Sequence, residues 1–186
     1  MVSLMSLWLP ILLAAVAVFI VSSITHMVLK YHNTDYARLP AEDDVMTALA
    51  RHNLAPNDYM FPYPSGAAAM KDPAFVEKRN RGPAAILSVM PTPAPPLTNY
   101  LIQWFIFSIL VSVFAAYLAS RALPVGAPGA EVFRFTATVG FLGYGLALVH
   151  DSIWYNRRWL TTWKNLFDAL LYGAATGGVF VLLWPT

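Results

Sequence analysis

The sequence predicts an all-α membrane protein: a bundle of four transmembrane helices, with a loop segment of about 65 residues between the first two. Three observations predict it. Apolar residues make up 58% of the 186 and charged residues only 12%, with a mean hydropathy of +0.53; the charged share is about half that of a soluble domain. A soluble chain of this length has too little interior to hide so much apolar surface. Four stretches also reach the roughly 20 apolar residues that a helix needs to cross a hydrocarbon core of about 30 Å.

The first span occupies residues 1–30, its helix running from about Leu7 to Lys30. No Lys, Arg, Asp or Glu occurs from Met1 to Leu29. A cleaved secretory signal opens with basic residues and has a shorter apolar stretch, so this run reads as a retained span. The second span is 97–122, set off by Pro91-Thr92-Pro93-Ala94-Pro95-Pro96, which ends any preceding helix. The third is 131–155 and the fourth 162–184. The Pro- and Gly-rich turn from Pro124 to Gly129 makes the second and third spans antiparallel neighbours.

Segment 31–96 is too polar to cross a bilayer. Pro40 and the acidic run Glu42-Asp43-Asp44 precede Val45, Met46, Leu49 and Leu54, which reads as one amphipathic helix with acids at its positive end. Tyr59-Met60-Phe61-Pro62-Tyr63-Pro64 cannot form a regular helix. A second short helix covers Pro73 to Arg79, and Ala84 to Met90 is a short strand or an extended stretch. Such a segment lacks a core, so it is expected to pack on the bundle or lie on the bilayer surface.

Sidedness follows from the basic residues. Ten of the twelve lie between the first two spans or in the turn between the last two: Lys30, Arg38, Arg51, Lys71, Lys78, Arg79, Arg81, Arg157, Arg158 and Lys164. Arg121 and Arg134 lie on the other side. The positive-inside rule puts the long segment in the cytoplasm and both termini outside, as in a multi-pass protein of a bacterial inner membrane.

Several functions are excluded. There is no cysteine, hence no disulfide, thiolate metal site or cysteine nucleophile. A net charge of +2 from scattered residues does not suit nucleic acid. The sequence has no HExxH, GxSxG, glycine-rich phosphate loop or EF-hand. His26 and His32 are about 240° apart on a continuous helix, and His32 with Asp35 is a commonplace cap or ion-pair spacing. No catalytic residue, metal ligand or cofactor is therefore predicted.

Polar residues nevertheless enter the spans, and they do so at one end. Ser22, His26 and Lys30 share a face of the first span, and Asn99 and Gln103 a face of the second. His150 and Asp151 close the third, near Tyr144 and Tyr155, while Lys164, Asp168, Tyr172 and Thr176 form a stripe down the fourth. Because the spans alternate in direction, His26, Lys30, Gln103, His150, Asp151, Asp168 and Tyr172 form a candidate polar cluster in the cytoplasmic leaflet. Ionisable groups there either anchor the loop segment or bind an ion, a proton or a small polar ligand.

The remaining motifs concern packing. Gly173 and Gly177 make a GxxxG, and Gly140 and Gly143 give the third span a matching small face. Trp154, Arg157, Arg158, Trp159, Trp163 and Lys164 form an interfacial belt for lipid head groups. The leading functional expectation is a non-enzymatic membrane protein acting by assembly, with itself or as an accessory subunit of a larger membrane complex. An ion- or ligand-binding protein or transporter is the alternative. An enzyme on a lipid substrate comes third, and needs Asp151, Asp168 and a histidine in hydrogen-bond reach.

Overall fold

The computed structural model describes residues 2–186. The chain divides into two compact units, one formed by Met1–Ala37 with Leu97–Thr186 and the other by Arg38–Pro96. Four helices are long and apolar enough to cross a membrane: Leu4–Val28, Leu97–Ala122, Gly129–Trp154 and Trp159–Leu182.

The first unit holds all four. Its first long helix opens with a 3-10 turn, Leu4–Leu7, continues as α1 (Trp8–Ser23) and closes with a π turn, Ile24–Val28. It therefore ends two residues short of the Lys30 that the sequence predicts. The next long helix, α4 (Leu97–Ala122), has the bounds expected of it. The third breaks at Gly145 into α5 (Gly129–Tyr144), a 3-10 turn (Leu146–Leu148) and α6 (Val149–Trp154). The fourth, α7 (Trp159–Leu182), starts three residues early because Arg158 is extended and delivers the chain directly into the helix. The four close into a ring in the order α1, α4, α5, α7.

The packing is built from small residues. Fully buried positions are mostly Ala, Ser, Thr and Gly, whereas Trp8, Leu9, Leu12, Ile20, Ile106, Leu110, Phe114, Leu142, Phe167 and Leu170 face outward. That is the reverse of a soluble core, and water would not tolerate such an apolar belt. It is compatible with an integral membrane protein, where helices approach through small residues. A β-carbon on Gly140 would lie 2.9 Å from the Gly173 Cα, and one on Gly173 would lie 2.6 Å from the Ala137 carbonyl. Gly177 meets Phe133 and Ala137 in the same seam, and Gly143 rests against Val111 of α4. The glycines of the sequence motif are thus occupied by the chain's own helices.

Buried hydroxyls on these helices bond backward to their own backbone: Ser108 to Trp104, Ser120 to Tyr117, Thr136 to Val132 and Thr176 to Tyr172. This is the usual way for a short hydroxyl to be satisfied without water.

The second unit contains α2 (Glu42–Ala50), β1 (Asn57–Phe61), α3 (Pro73–Arg81) and β2 (Ala85–Val89). β1 and β2 pair antiparallel, Asn57 opposite Val89 and Phe61 opposite Ala85. The stretch Ala84–Met90, expected as a short strand or extended, holds β2; the correction to the helical expectation is the aromatic run around Tyr59, which forms a strand until Pro62 ends it. The partner of Tyr59, Leu87, lies 28 residues downstream, and local pattern does not report such pairing. α2 stops at Ala50, short of Leu54, and Asn53 beyond it is left-handed. None of residues 38–96 is buried.

Candidate functional site

The site forms where the first long helix ends. In the π turn the Leu29 amide donates to the Ile24 carbonyl at 3.1 Å, widening the last turn. Lys30 then takes a left-handed conformation (φ 53°) and reverses the chain into a 3-10 turn, Tyr31–Thr34. A non-glycine residue there costs about 1 kcal/mol or more, so something must hold it. Lys164 of α7 does: its Nζ donates to the Tyr31 carbonyl at 2.6 Å, to Thr34 Oγ1 at 2.8 Å and to Asp35 Oδ1 at 2.8 Å. Arg158 adds a bond from Nη1 to the Thr34 carbonyl at 3.1 Å.

That reversal brings together residues that a straight helix would keep apart. The His26 and His32 rings stack with centroids 4.2 Å apart and planes at 24°. The expectation that these two histidines face different ways rested on helical continuity, and the chain is not continuous there.

Asp168, one turn past Lys164 on α7, is the centre. Its side chain is 4% exposed. Tyr31 donates its hydroxyl to Oδ1, while His32 Nε2 lies 2.8 Å from Oδ2 and His26 Nε2 lies 3.5 Å from the same oxygen. A carboxylate at membrane depth costs about 3 kcal/mol on insertion scales, so it needs such partners. On its far side His32 places Nδ1 2.7 Å from Asp35 Oδ2. Lys164 and His32 bond to Asp35 and outweigh the effect of burial, which alone would raise the carboxyl; the group is held below its ordinary range. The Tyr31 phenol is pushed well above its ordinary value, first by burial and then by its bond to Asp168, so it is a neutral donor.

The ionised Asp35 orients the His32 ring through Nδ1. His32 thus bridges two carboxylates, Nδ1 against Asp35 and Nε2 against an Asp168 oxygen, with the His26 Nε2 beside it. Three donor atoms from His26, His32 and Asp168 lie within 4.8 Å of one another. Such a convergence needs an electrophile between its members, either a shared proton or a metal cation. Two imidazoles and a carboxylate are a common donor set for divalent first-row ions. A histidine ligand held through its other nitrogen by a carboxylate is a recurring arrangement in metal sites. His26 is half exposed and leaves the cluster open on one side.

The neighbouring layer is aromatic. The Tyr172 hydroxyl lies 3.1 Å from Thr25 Oγ1, and its ring meets those of Trp104 and Tyr144 edge-on. Trp104 Nε1 donates to Ser22 Oγ at 2.9 Å. These contacts fix the rotational setting of α7, and with it the direction of Asp168.

Of the residues expected to cluster, His26, Asp168 and Tyr172 come together. Lys30 and Gln103 are exposed, and neither makes a side-chain hydrogen bond or ion pair among the described residues. His150 is exposed beside the Trp154 and Tyr155 rings, and Asp151 pairs with Arg157 at 3.6 Å. The reason is the break at Gly145. It turns Ser152 of α6 inward, 2.6 Å from Thr162, and successive residues point about 100° apart, so His150 and Asp151 are directed elsewhere. The trio needed for lipid-directed acid–base chemistry accordingly does not form.

Among the interfacial residues, Trp154, Trp159 and Trp163 are exposed. Lys164 departs from that group: its side chain is 14% exposed and is committed to the site. Sequence reasoning passed over Tyr31 and His32 as partners of Asp168, and Asp35 as the partner of Lys164. The available signal was the polar run Tyr31-His32-Asn33-Thr34-Asp35 immediately after an apolar span. No family model, curated protein or solved structure matches the chain.

Proposed function

We propose that this is an integral membrane protein that binds one divalent first-row transition-metal ion through His26 Nε2, His32 Nε2 and Asp168 Oδ2. The observation that carries the reading is the His32 ring: Asp35 Oδ2 holds its Nδ1 at 2.7 Å, and its Nε2 meets Asp168 Oδ2 at 2.8 Å with His26 Nε2 beside them. Asp35 and Lys164 act as the outer layer that orients it. Three protein ligands leave a coordination position open, as in exchangeable or reactive sites rather than closed structural ones. The half-exposed His26 gives an ion its way in. By the distribution of basic residues, this end of the bundle faces the cytoplasm.

Metal binding would replace the direct contact between His32 Nε2 and Asp168 Oδ2. Bonds near 2.1 Å place tetrahedral ligand atoms about 3.4 Å apart, so His32 and Asp168 separate by about 0.6 Å from their 2.8 Å contact. Action by self-assembly or as an accessory subunit draws less support, because the glycine seams that suggested it are filled from within the chain.

The test is a cobalt(II) titration of the full chain in mild detergent after chelator treatment. One Co(II) per chain is expected, with the visible ligand-field absorption of a low-coordinate N,O site, displaced by Zn(II). His32→Gln, which keeps the length of the side chain, loses the signal while circular dichroism is unchanged. Equal Co(II) uptake by wild type and by a His26→Ala/His32→Gln variant would sink the proposal, as would no uptake by wild type.

A further inference from the structure

At the far end of the same unit, a groove of about 610 Å³ runs between α4 and α5, lined by Leu118, Arg121, Ala122, Arg134, Phe135, Thr138 and Val139. Its walls are apolar except for Thr138 and two guanidinium groups. Arg121 sits in the last turn of α4 with its Cζ 5.5 Å from the centre of the Tyr117 ring, and Arg134 lies in the second turn of α5. Among the described residues neither arginine has a carboxylate within ion-pair distance, Glu131 included.

Depth identifies the occupant. The 26 residues of α4 span about 39 Å at 1.5 Å per residue, more than the hydrocarbon core of about 30 Å. Arg121, next to its end, therefore lies at head-group level, while Leu118 and Val139 lie about a turn deeper, where acyl chains run. Arginine pairs bind phosphate oxygens through two parallel N–H donors, and two such groups over an apolar cleft complement a charged head on a hydrocarbon tail. The geometry points to an anionic phospholipid as the resident of this groove, its phosphate held by Arg121 and Arg134 and one acyl chain lying along Leu118, Phe135 and Val139. A zwitterionic lipid offers the same tail, but its own cation stands against the guanidinium pair.

The probes are phosphatidylglycerol and phosphatidylcholine, each added to the full chain in detergent and followed by native mass measurement and thermal unfolding. Phosphatidylglycerol is expected to be retained, about one per chain, and to raise the unfolding temperature more than phosphatidylcholine does. Arg121→Gln/Arg134→Gln should lower phosphatidylglycerol retention by roughly tenfold or more, since each basic group near an anionic lipid contributes on the order of 1 kcal/mol. Both residues are exposed, so the variant folds. Val139→Trp, which fills the deep part of the groove, should lower it independently. Equal retention of the two lipids, or unchanged retention by both variants, overturns the inference. Preferential capture of a protein partner over phosphatidylglycerol overturns it too.

Discussion

The two ends of the helical unit are closed by different means. Where α1 ends and α7 begins, side chains from sequence-distant segments interlock: Tyr31, His32 and Asp35 on one, Lys164 and Asp168 on the other. At the opposite end the ties involve backbone. The Gly126 amide donates to the Pro185 carbonyl at 2.8 Å, and Trp184 Nε1 donates to the Pro124 carbonyl at 3.0 Å. Backbone ties close a bundle without creating reactive groups. A side-chain network that closes it through a buried carboxylate and two imidazoles leaves lone pairs aimed at one point. The comparison sets the proposed metal site at the first end and the proposed lipid groove at the second.

The seam between the ends sets the largest expected effect. Gly173 lies one turn beyond Asp168, and a β-carbon there would sit 2.6 Å from the Ala137 carbonyl and 3.0 Å from the Phe141 amide nitrogen. Both are backbone atoms and cannot swing aside. Gly173→Val should cost about 3 kcal/mol or more, at or beyond the upper range for overpacking, and lower the unfolding temperature in detergent steeply. Because the same displacement moves Asp168, cobalt binding should fall as well. A variant that unfolds normally and binds cobalt normally would show that α5 and α7 are not held in this register.

The next effect separates the ends. Asp35→Asn keeps the shape of the side chain but removes the charge that orients the His32 ring and receives Lys164. Loss of an outer-layer carboxylate typically weakens metal affinity by about 10–100-fold. That range is expected for Co(II), with phosphatidylglycerol retention unaltered because Arg121 and Arg134 are untouched. If affinity stays within about twofold of wild type, His32 is oriented by its stacking on His26 and not by Asp35.

Much of the fold was legible because the spans announce themselves by composition. Leu97–Ala122 follows directly from the proline run before it and the Pro–Gly turn after it. The glycine contacts, too, follow from spacing, since small residues four apart share a face. The hairpin was not legible, because β1 and β2 find each other across the intervening α3 and neither alternates clearly enough to define a face. Asp168, His26 and Tyr172 were visible as polar groups inside apolar helices. His32 was not, and the reason is local: periodicity arguments assume an unbroken helix, while a π turn followed by one left-handed residue, Lys30, changes which side chains meet. His150 and Asp151 misled in the opposite sense, since the break at Gly145 turned them away from a site that their depth in sequence suggested.

The smallest expected effect tests whether the two ends are independent. Trp184 is buried against Leu7, Ala119 and Leu123, and its indole N–H bonds to the Pro124 carbonyl. Trp184→Phe removes that bond and some volume while keeping an aromatic ring in place. One neutral hydrogen bond contributes about 1 kcal/mol net, so a small drop in unfolding temperature is expected. Cobalt affinity should not move, because Asp168 and Trp184 lie 16 positions apart on α7 and the short tail after it, about 24 Å along a helix, and share no partner. If Trp184→Phe weakens cobalt binding as much as Asp35→Asn does, the ends are coupled through α7. The polar site would then depend on how the far end is closed, and the division of labour drawn between them would fail.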